Sequence, residues 1–242
     1  MDAASQPAPT TRQKRSRAWL QAAAPGQPCR IKTCGMSRDE DVDAVNEARP
    51  DLVGFIVDVP RSRRTVTPGR FSRLAGRVEV GTVGETGACV RVGVFVDEPL
   101  CDLTQIVLQT ARRSIDVVQL HGHEDDAYVD ELHERTGIGV IQAFQLHEEQ
   151  DARRAQASHA DLVLLDSGQG SGTAFDWSYA RLVDRPFLLA GGLAPLTIAR
   201  AVAEVHPWGV DLSSGLESGV HKDPAKIRAA VEAVRELNAR PA

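Results

Sequence analysis

The chain has 242 residues, 42% of them apolar and 25% charged, enough to bury a sizeable core in one barrel-sized domain or two smaller ones. A formal net charge of −5 excludes a protein held to nucleic acid by a basic surface. No run approaches the roughly eighteen apolar residues that a membrane span needs. The four cysteines, Cys29, Cys34, Cys89 and Cys101, form no CxxC pair, so neither a zinc site nor a redox pair is expected. A chain with a full core does not need disulfides. The expectation is reduced thiols and a cytoplasmic protein.

Residues 1–28 carry Pro7, Pro9, Pro25 and Pro28 and a basic cluster at 12–17. The apolar stretch 18–24 is too short, and too interrupted by Gln21, for a secretory leader. This segment is expected to be a disordered or loosely packed extension. Residues 29–242 form the domain, and a chain starting at Pro28 is expected to keep stability and activity.

From residue 29 onward β-rich runs recur at 29–34, 52–57, 89–96, 115–121, 138–145, 162–166, 187–190 and 209–212. Helical spacing marks 38–48, 100–112, 125–136, 150–158, 195–205 and 224–238, and 70–77 and 177–183 can each supply a further helix. Strands such as Val92-Gly-Val-Phe-Val96 are apolar almost throughout, as in a parallel sheet buried on both faces. Eight β/α units in about 210 residues fit a closed ring, and no GxGxxG follows the first strand. The expected architecture is a single (β/α)₈ TIM barrel.

In such a barrel, chemistry sits at the C-terminal ends of the strands and in the loops that follow, with a phosphate site after strands seven and eight. Here those loops are Gly191-Gly192 and Ser213-Ser214-Gly215, whose small residues let an anion approach the backbone. Cys34 ends the first strand, and its thiol is a base near neutrality if its surroundings favour the thiolate. Asp166 ends the sixth strand behind Leu162-Val-Leu-Leu165, where an apolar wall tends to raise a carboxyl pKa and suit a general acid. One guanidinium among Arg61, Arg63 and Arg64, after the second strand, would grip a carboxylate. Gln119 and His121, at the fourth strand, shape the pocket or hydrogen bond within it, and Asp211 lies on the eighth. The histidines show no metal-ligand spacing, and no metal is expected.

At these residues the sequence resembles the phosphoribosylanthranilate isomerases. The matching segments are Ile31-Lys-Thr-Cys-Gly35, Val92–Val96, Asp116-Val-Val-Gln-Leu-His-Gly122, Leu164-Leu-Asp-Ser167, Gly170-Ser-Gly-Thr-Ala-Phe-Asp-Trp177, Leu189-Ala-Gly-Gly-Leu193 and Gly209-Val-Asp-Leu-Ser-Ser-Gly-Leu-Glu217. The resemblance implies a cofactor-free Amadori rearrangement of N-(5-phosphoribosyl)anthranilate to 1-(2-carboxyphenylamino)-1-deoxyribulose 5-phosphate, in tryptophan biosynthesis. It implies Cys34 as general base and Asp166 as general acid. It places Arg64, in Pro60-Arg-Ser-Arg-Arg-Thr-Val66, on the anthranilate carboxylate and Asp211 on a sugar hydroxyl. Gly191, Gly192, Ser213, Ser214 and Gly215 would hold the phosphate, and Gly172 joins the substrate-binding set. The implied partner is a small phosphorylated molecule, with no nucleic acid or membrane, and the assembly a monomer or homodimer. Two alternatives stand beside this reading. One is the related Amadori isomerase of histidine biosynthesis, which resembles a barrel with aspartates at both proton-transfer positions. The other is a non-catalytic barrel that binds a phosphorylated metabolite.

Overall fold

The computed structural model describes residues 8–110, 114–166 and 177–239. Eight parallel strands form the ring: β1 (Arg30–Cys34), β2 (Leu52–Val57), β3 (Val90–Phe95), β4 (Val117–Leu120), β5 (Gly139–Gln145), β6 (Leu162–Asp166), β7 (Phe187–Ala190) and β8 (Gly209–Leu212). Each pairs with its neighbour in sequence, and β1 pairs with both β2 and β8, which closes the barrel. Four strands have the bounds that the sequence predicts, and the other four are shorter by one to three residues.

Alternation along each strand divides the core in two. Leu52, Val92, Val117, Ile141, Leu164 and Leu188 belong to one buried cluster inside the ring. Their sequence neighbours Val53, Val118, Val140, Val163, Leu165 and Leu189 belong to a second, between the ring and its helices. The outer layer consists of α2 (Asp39–Ala48), α3 (Pro68–Gly76), α4 (Leu100–Thr110), α5 (Asp126–Thr136), α6 (Glu149–Ala157), α7 (Ile198–Val205) and α8 (Pro224–Ala239). Helix starts follow side-chain capping: Thr67 accepts from Arg70 N ahead of Pro68, and Asp125 accepts from Tyr128 N. Two expected helices differ. The 177–183 segment gives only the 3₁₀ turn Ala180–Leu182, because Val183 is already extended and Pro186 disfavours helix at Arg185. The 195–205 segment is a 3₁₀ turn, Pro195–Thr197, running into α7.

The N-terminal extension holds more structure than its composition suggests. Residues Thr11–Gln21 form a helix, α1, started by a reciprocal capping box. Thr10 Oγ1 accepts from Gln13 N at 3.2 Å, and Gln13 Oε1 accepts from Thr10 N at 2.8 Å. One face of α1 is pinned to residues that immediately precede barrel strands. Arg12 pairs with Asp116 at 3.0 Å, Arg17 pairs with Asp161 at 3.1 Å, and Gln13 Nε2 donates to Ile115 O at 3.1 Å. Leu20, 1% exposed, joins the cluster inside the ring, and Trp19 lies edge-on to Trp208 with ring centroids 5.0 Å apart. The helix therefore stoppers the mouth of the barrel at the N-terminal ends of the strands.

Burial alone would raise the Asp116 carboxyl, but hydrogen bonds from Arg91 and the charges of Arg91 and Arg12 hold it below the ordinary carboxylate range. Asp161 is lowered likewise, its burial outweighed by His133 and Arg17 among others. A carboxyl depressed in the folded state adds stability above its unfolded pKa and loses it as pH falls toward the folded value. Deleting residues 1–27 uncovers Leu20's site and strips Arg12 from Asp116 and both Arg17 and Gln21 from Asp161. At neutral pH this is expected to cost about 3 kcal/mol and to lower Tm by roughly 6–12 °C. The ionic part of the difference fades below about pH 4. Thermal unfolding of both chains across pH checks this; superimposable curves at pH 7 would return the extension to the status of a loose tail.

Candidate active site

The opposite mouth gathers the predicted side chains. Cys34, Gln119, His121, Asp166, Asp211 and Arg64 line one cavity with Gly191, Gly192, Ser213 and Ser214. It opens, past Ile56, Val94 and His121, into a wider space lined by Arg61, His123, Phe144 and Arg154. Of the second-loop arginines, only Arg64 reaches the cavity with Cys34 and Asp166; Arg61 faces the wider space, and Arg63 lines a third, neighbouring cavity. Arg64 is held there by the short strand Thr65–Val66, which pairs with the end of β2.

Strand alternation sets Lys32 and Cys34 on the same inward face of β1, with Gly54 of β2 opposite Cys34. A Cβ at Gly54 would lie 2.7 Å from Cys34 Sγ and 3.1 Å from Lys32 Nζ, so the missing side chain makes the space in which thiol and ammonium sit together. Lys32 has no exposed surface and donates to Asp211 Oδ2 at 3.0 Å across the β1–β8 seam. Burial would lower its pKa, but Asp211 and Cys34 outweigh that and leave it above the ordinary lysine value. Burial pushes the Cys34 thiol up, with Lys32 the strongest opposing influence. The surroundings of Cys34 therefore favour the thiol, not the thiolate, and Lys32 limits the rise.

Asp211 keeps its second oxygen, Oδ1, buried and without a partner among the described residues, as does Gln119 with Oε1. A buried acceptor left open costs about 1–3 kcal/mol unless something supplies a hydrogen, which marks both as sites for a ligand hydroxyl or N–H. Gln119 Nε2 lies 3.1 Å from His121 Nδ1. With the amide as donor, the ring proton sits on Nε2, which faces Asp166 Oδ2 at 4.0 Å. Burial lowers the His121 pKa and favours the neutral ring.

The two glycine- and serine-bearing loops lie against each other. Gly191 and Gly192 have φ of 98° and 60°. Gly215 does not line the cavity; a Cβ there would meet Leu193 O at 2.0 Å, so it lets the two loops close. Gly172 lies outside the described residues. Among the described residues no group of three or more His, Cys, Asp and Glu side chains is placed to hold a metal ion. All four cysteines are free thiols, and among the described residues no helix is long and apolar enough to cross a membrane.

Three residues that the sequence reading did not assign belong to this mouth: Lys32, Glu217 and Lys222. Lys32 was legible from its phase with Cys34. Glu217 and Lys222 pair across a two-stranded hairpin after β8, Glu217–Ser218 with His221–Lys222, a turn that no local pattern announced.

Comparison with known proteins places these features in a family. Residues 31–233 match the family described as N-(5'phosphoribosyl)anthranilate (PRA) isomerase. The N-(5'-phosphoribosyl)anthranilate isomerase of Endomicrobium trichonymphae is 37% identical over 214 residues, covering 86% of this chain and 99% of that one. A crystal structure of monomers of the dimeric enzyme from Thermotoga maritima superposes with a TM-score of 0.72 at 31% identity, over 86% of this chain and 99% of that one. A family structure in complex with reduced 1-(o-carboxyphenylamino)-1-deoxyribulose 5-phosphate gives 0.68 at 30% identity, over the same shares. Helix α1 precedes the matched region. A parallel eight-stranded barrel with a cysteine, an aspartate and an arginine around one cavity, matched over this length, belongs to the N-(5'-phosphoribosyl)anthranilate isomerase family, isomerases of tryptophan biosynthesis.

Proposed function

We propose that Cys34 and Asp166 perform the two proton transfers of the Amadori rearrangement of N-(5-phosphoribosyl)anthranilate. The observation that supports this is their position at the ends of β1 and β6, on one cavity with Arg64 and the Gly191–Gly192 and Ser213–Ser214 loops. The loops take the phosphate through backbone N–H groups and serine hydroxyls, and Arg64 takes the anthranilate carboxylate. Asp211 Oδ1 accepts a sugar hydroxyl.

Asp166 protonates the ribose ring oxygen as the C1′–O bond breaks, and the ring opens to a Schiff base. The Cys34 thiolate then removes the C2′ proton, giving an enolamine that tautomerises to the ketone; the net change is an isomerisation, with no cofactor. The ammonium of Lys32 beside Sγ stabilises the thiolate that this step needs. The partner is a small phosphorylated substrate, the assembly a monomer or homodimer and the compartment the cytoplasm; the Thermotoga maritima relative is dimeric.

Cys34→Ser and Asp166→Asn are expected to lower kcat by about 10²–10⁴-fold, with KM changed only a few-fold. Turnover of freshly generated substrate, followed by fluorescence, measures both. Retained turnover in either variant removes that residue from its role. An inactive but folded wild type that turns over the histidine-pathway substrate would favour that isomerase instead.

Lys32→Met is expected to raise the Cys34 pKa further, because a stabilising positive charge is lost. The ascending limb of the kcat–pH profile then moves to higher pH by about one unit or more, and alkylation of Cys34 by iodoacetamide shifts in parallel. An unchanged limb would show that Lys32 does not act on the thiol.

A further inference from the structure

We propose that Glu217 is a positioning residue that aims Arg64 at the carboxylate of the substrate. This rests on the reading of Arg64 given above and extends it to a group remote in sequence. Glu217 is 8% exposed, yet its carboxylate is surrounded by three cations. Arg64 donates to it through Nε, and through Nη2 at 3.1 Å. Arg63 donates through Nη2, and Lys222 Nζ lies 3.2 Å from Oε1. Burial would raise the carboxyl pKa, but Arg64 and Lys222 outweigh it and keep Glu217 ionised.

The geometry of the Arg64 pair is the informative part. A guanidinium has two edges that each fit a carboxylate in a fork. Glu217 occupies the edge made by Nε and Nη2. Nη1 has no acceptor among the described residues, so the end-on edge is left for an incoming carboxylate. Arg64 lines both the cavity with Cys34 and Asp166 and the neighbouring one that holds Glu217. Its side chain is therefore gripped from behind while its free edge serves the site.

The grip is tied to the rest of the mouth. Lys222 Nζ also donates to Ser213 O at 2.8 Å, and Ser213 Oγ donates to Cys34 O at 3.1 Å. One chain of contacts thus joins the carboxylate-binding arginine, the phosphate loop and the strand end that bears the base. Three cations around one carboxylate leave the cluster net positive, so Glu217 orients Arg64 without cancelling its attraction for an anion.

The test is a double-mutant cycle of Glu217→Gln and Arg64→Met in the full chain. It is read by steady-state kinetics and by competitive inhibition with the reduced product analogue and its counterpart lacking the ring carboxylate. Glu217→Gln is expected to raise KM about tenfold with kcat within about threefold. It should weaken the carboxylated inhibitor but not the decarboxylated one, and it should add nothing in the Arg64→Met background. If Glu217→Gln does not fold, Glu217→Asp, which keeps the charge and withdraws it by one methylene, serves in the same cycle. A Glu217 effect of equal size on both inhibitors, or one that persists without Arg64, would mean a general structural role and overturn the proposal. A normal KM in Glu217→Gln beside a raised one in Arg64→Met also overturns it and leaves the Arg64 reading intact. A normal KM in Arg64→Met would instead sink the assignment of Arg64 itself.

Discussion

The ion pair between Lys32 and Asp211 spans the seam where the barrel closes. The two residues sit directly opposite each other in the β1–β8 register, both turned inward. Placing a lysine with no exposed surface inside a protein costs several kcal/mol unless a partner offsets it, and Asp211 is that partner at 3.0 Å. The pair therefore fixes the register: a slip of β1 by one residue would turn Lys32 and Cys34 out of the ring and into the helix layer, away from Asp211. Everything at the mouth inherits that register. Cys34 lies two residues above Lys32 and Ser213 two above Asp211, and Ser213 Oγ bonds back to Cys34 O.

The chain is acidic overall, with a net charge of −5, yet the mouth gathers Lys32, Arg63, Arg64 and Lys222. Net charge thus describes solubility and exclusion of polyanions, not the sign of the ligand. The local field is built by burial. Lys32 and Lys222 are 0% and 6% exposed, so their charges act on the site with little screening, whereas exposed pairs such as Arg153–Glu149 contribute little.

Much of this was legible because strand ends are legible. An apolar run such as Leu162–Leu165 closed by an aspartate announces both a buried strand and the group at its rim. Cys34 and Asp211 follow from the same rule, whereas position alone left Arg61, Arg63 and Arg64 open, and the family resemblance of Pro60-Arg-Ser-Arg-Arg-Thr-Val66 singled out Arg64. Glu217 did not follow, since it meets Arg64 across 153 residues and only through a hairpin of two-residue strands. For Cys34 the sequence left the thiolate conditional on surroundings it does not show: periodicity reports that a residue points inward, not how far burial outweighs a neighbouring charge. Helix α1 was hidden by averaging. Proline and charge across residues 1–28 masked the local Thr10-x-x-Gln13 capping box, which was present in the sequence and marks a helix start.

That helix bears on how the molecule assembles. It precedes every barrel strand in the chain, yet the partners of Arg12, Gln13 and Arg17 lie 104, 102 and 144 residues downstream. Contacts of such separation form only after the intervening chain has closed its loops, so the stopper must wait for β4, β5 and β6. A segment that precedes the barrel in the chain is thus among the last to settle, and the approach of Trp19 to Trp208 makes indole emission a natural clock for completion of the barrel.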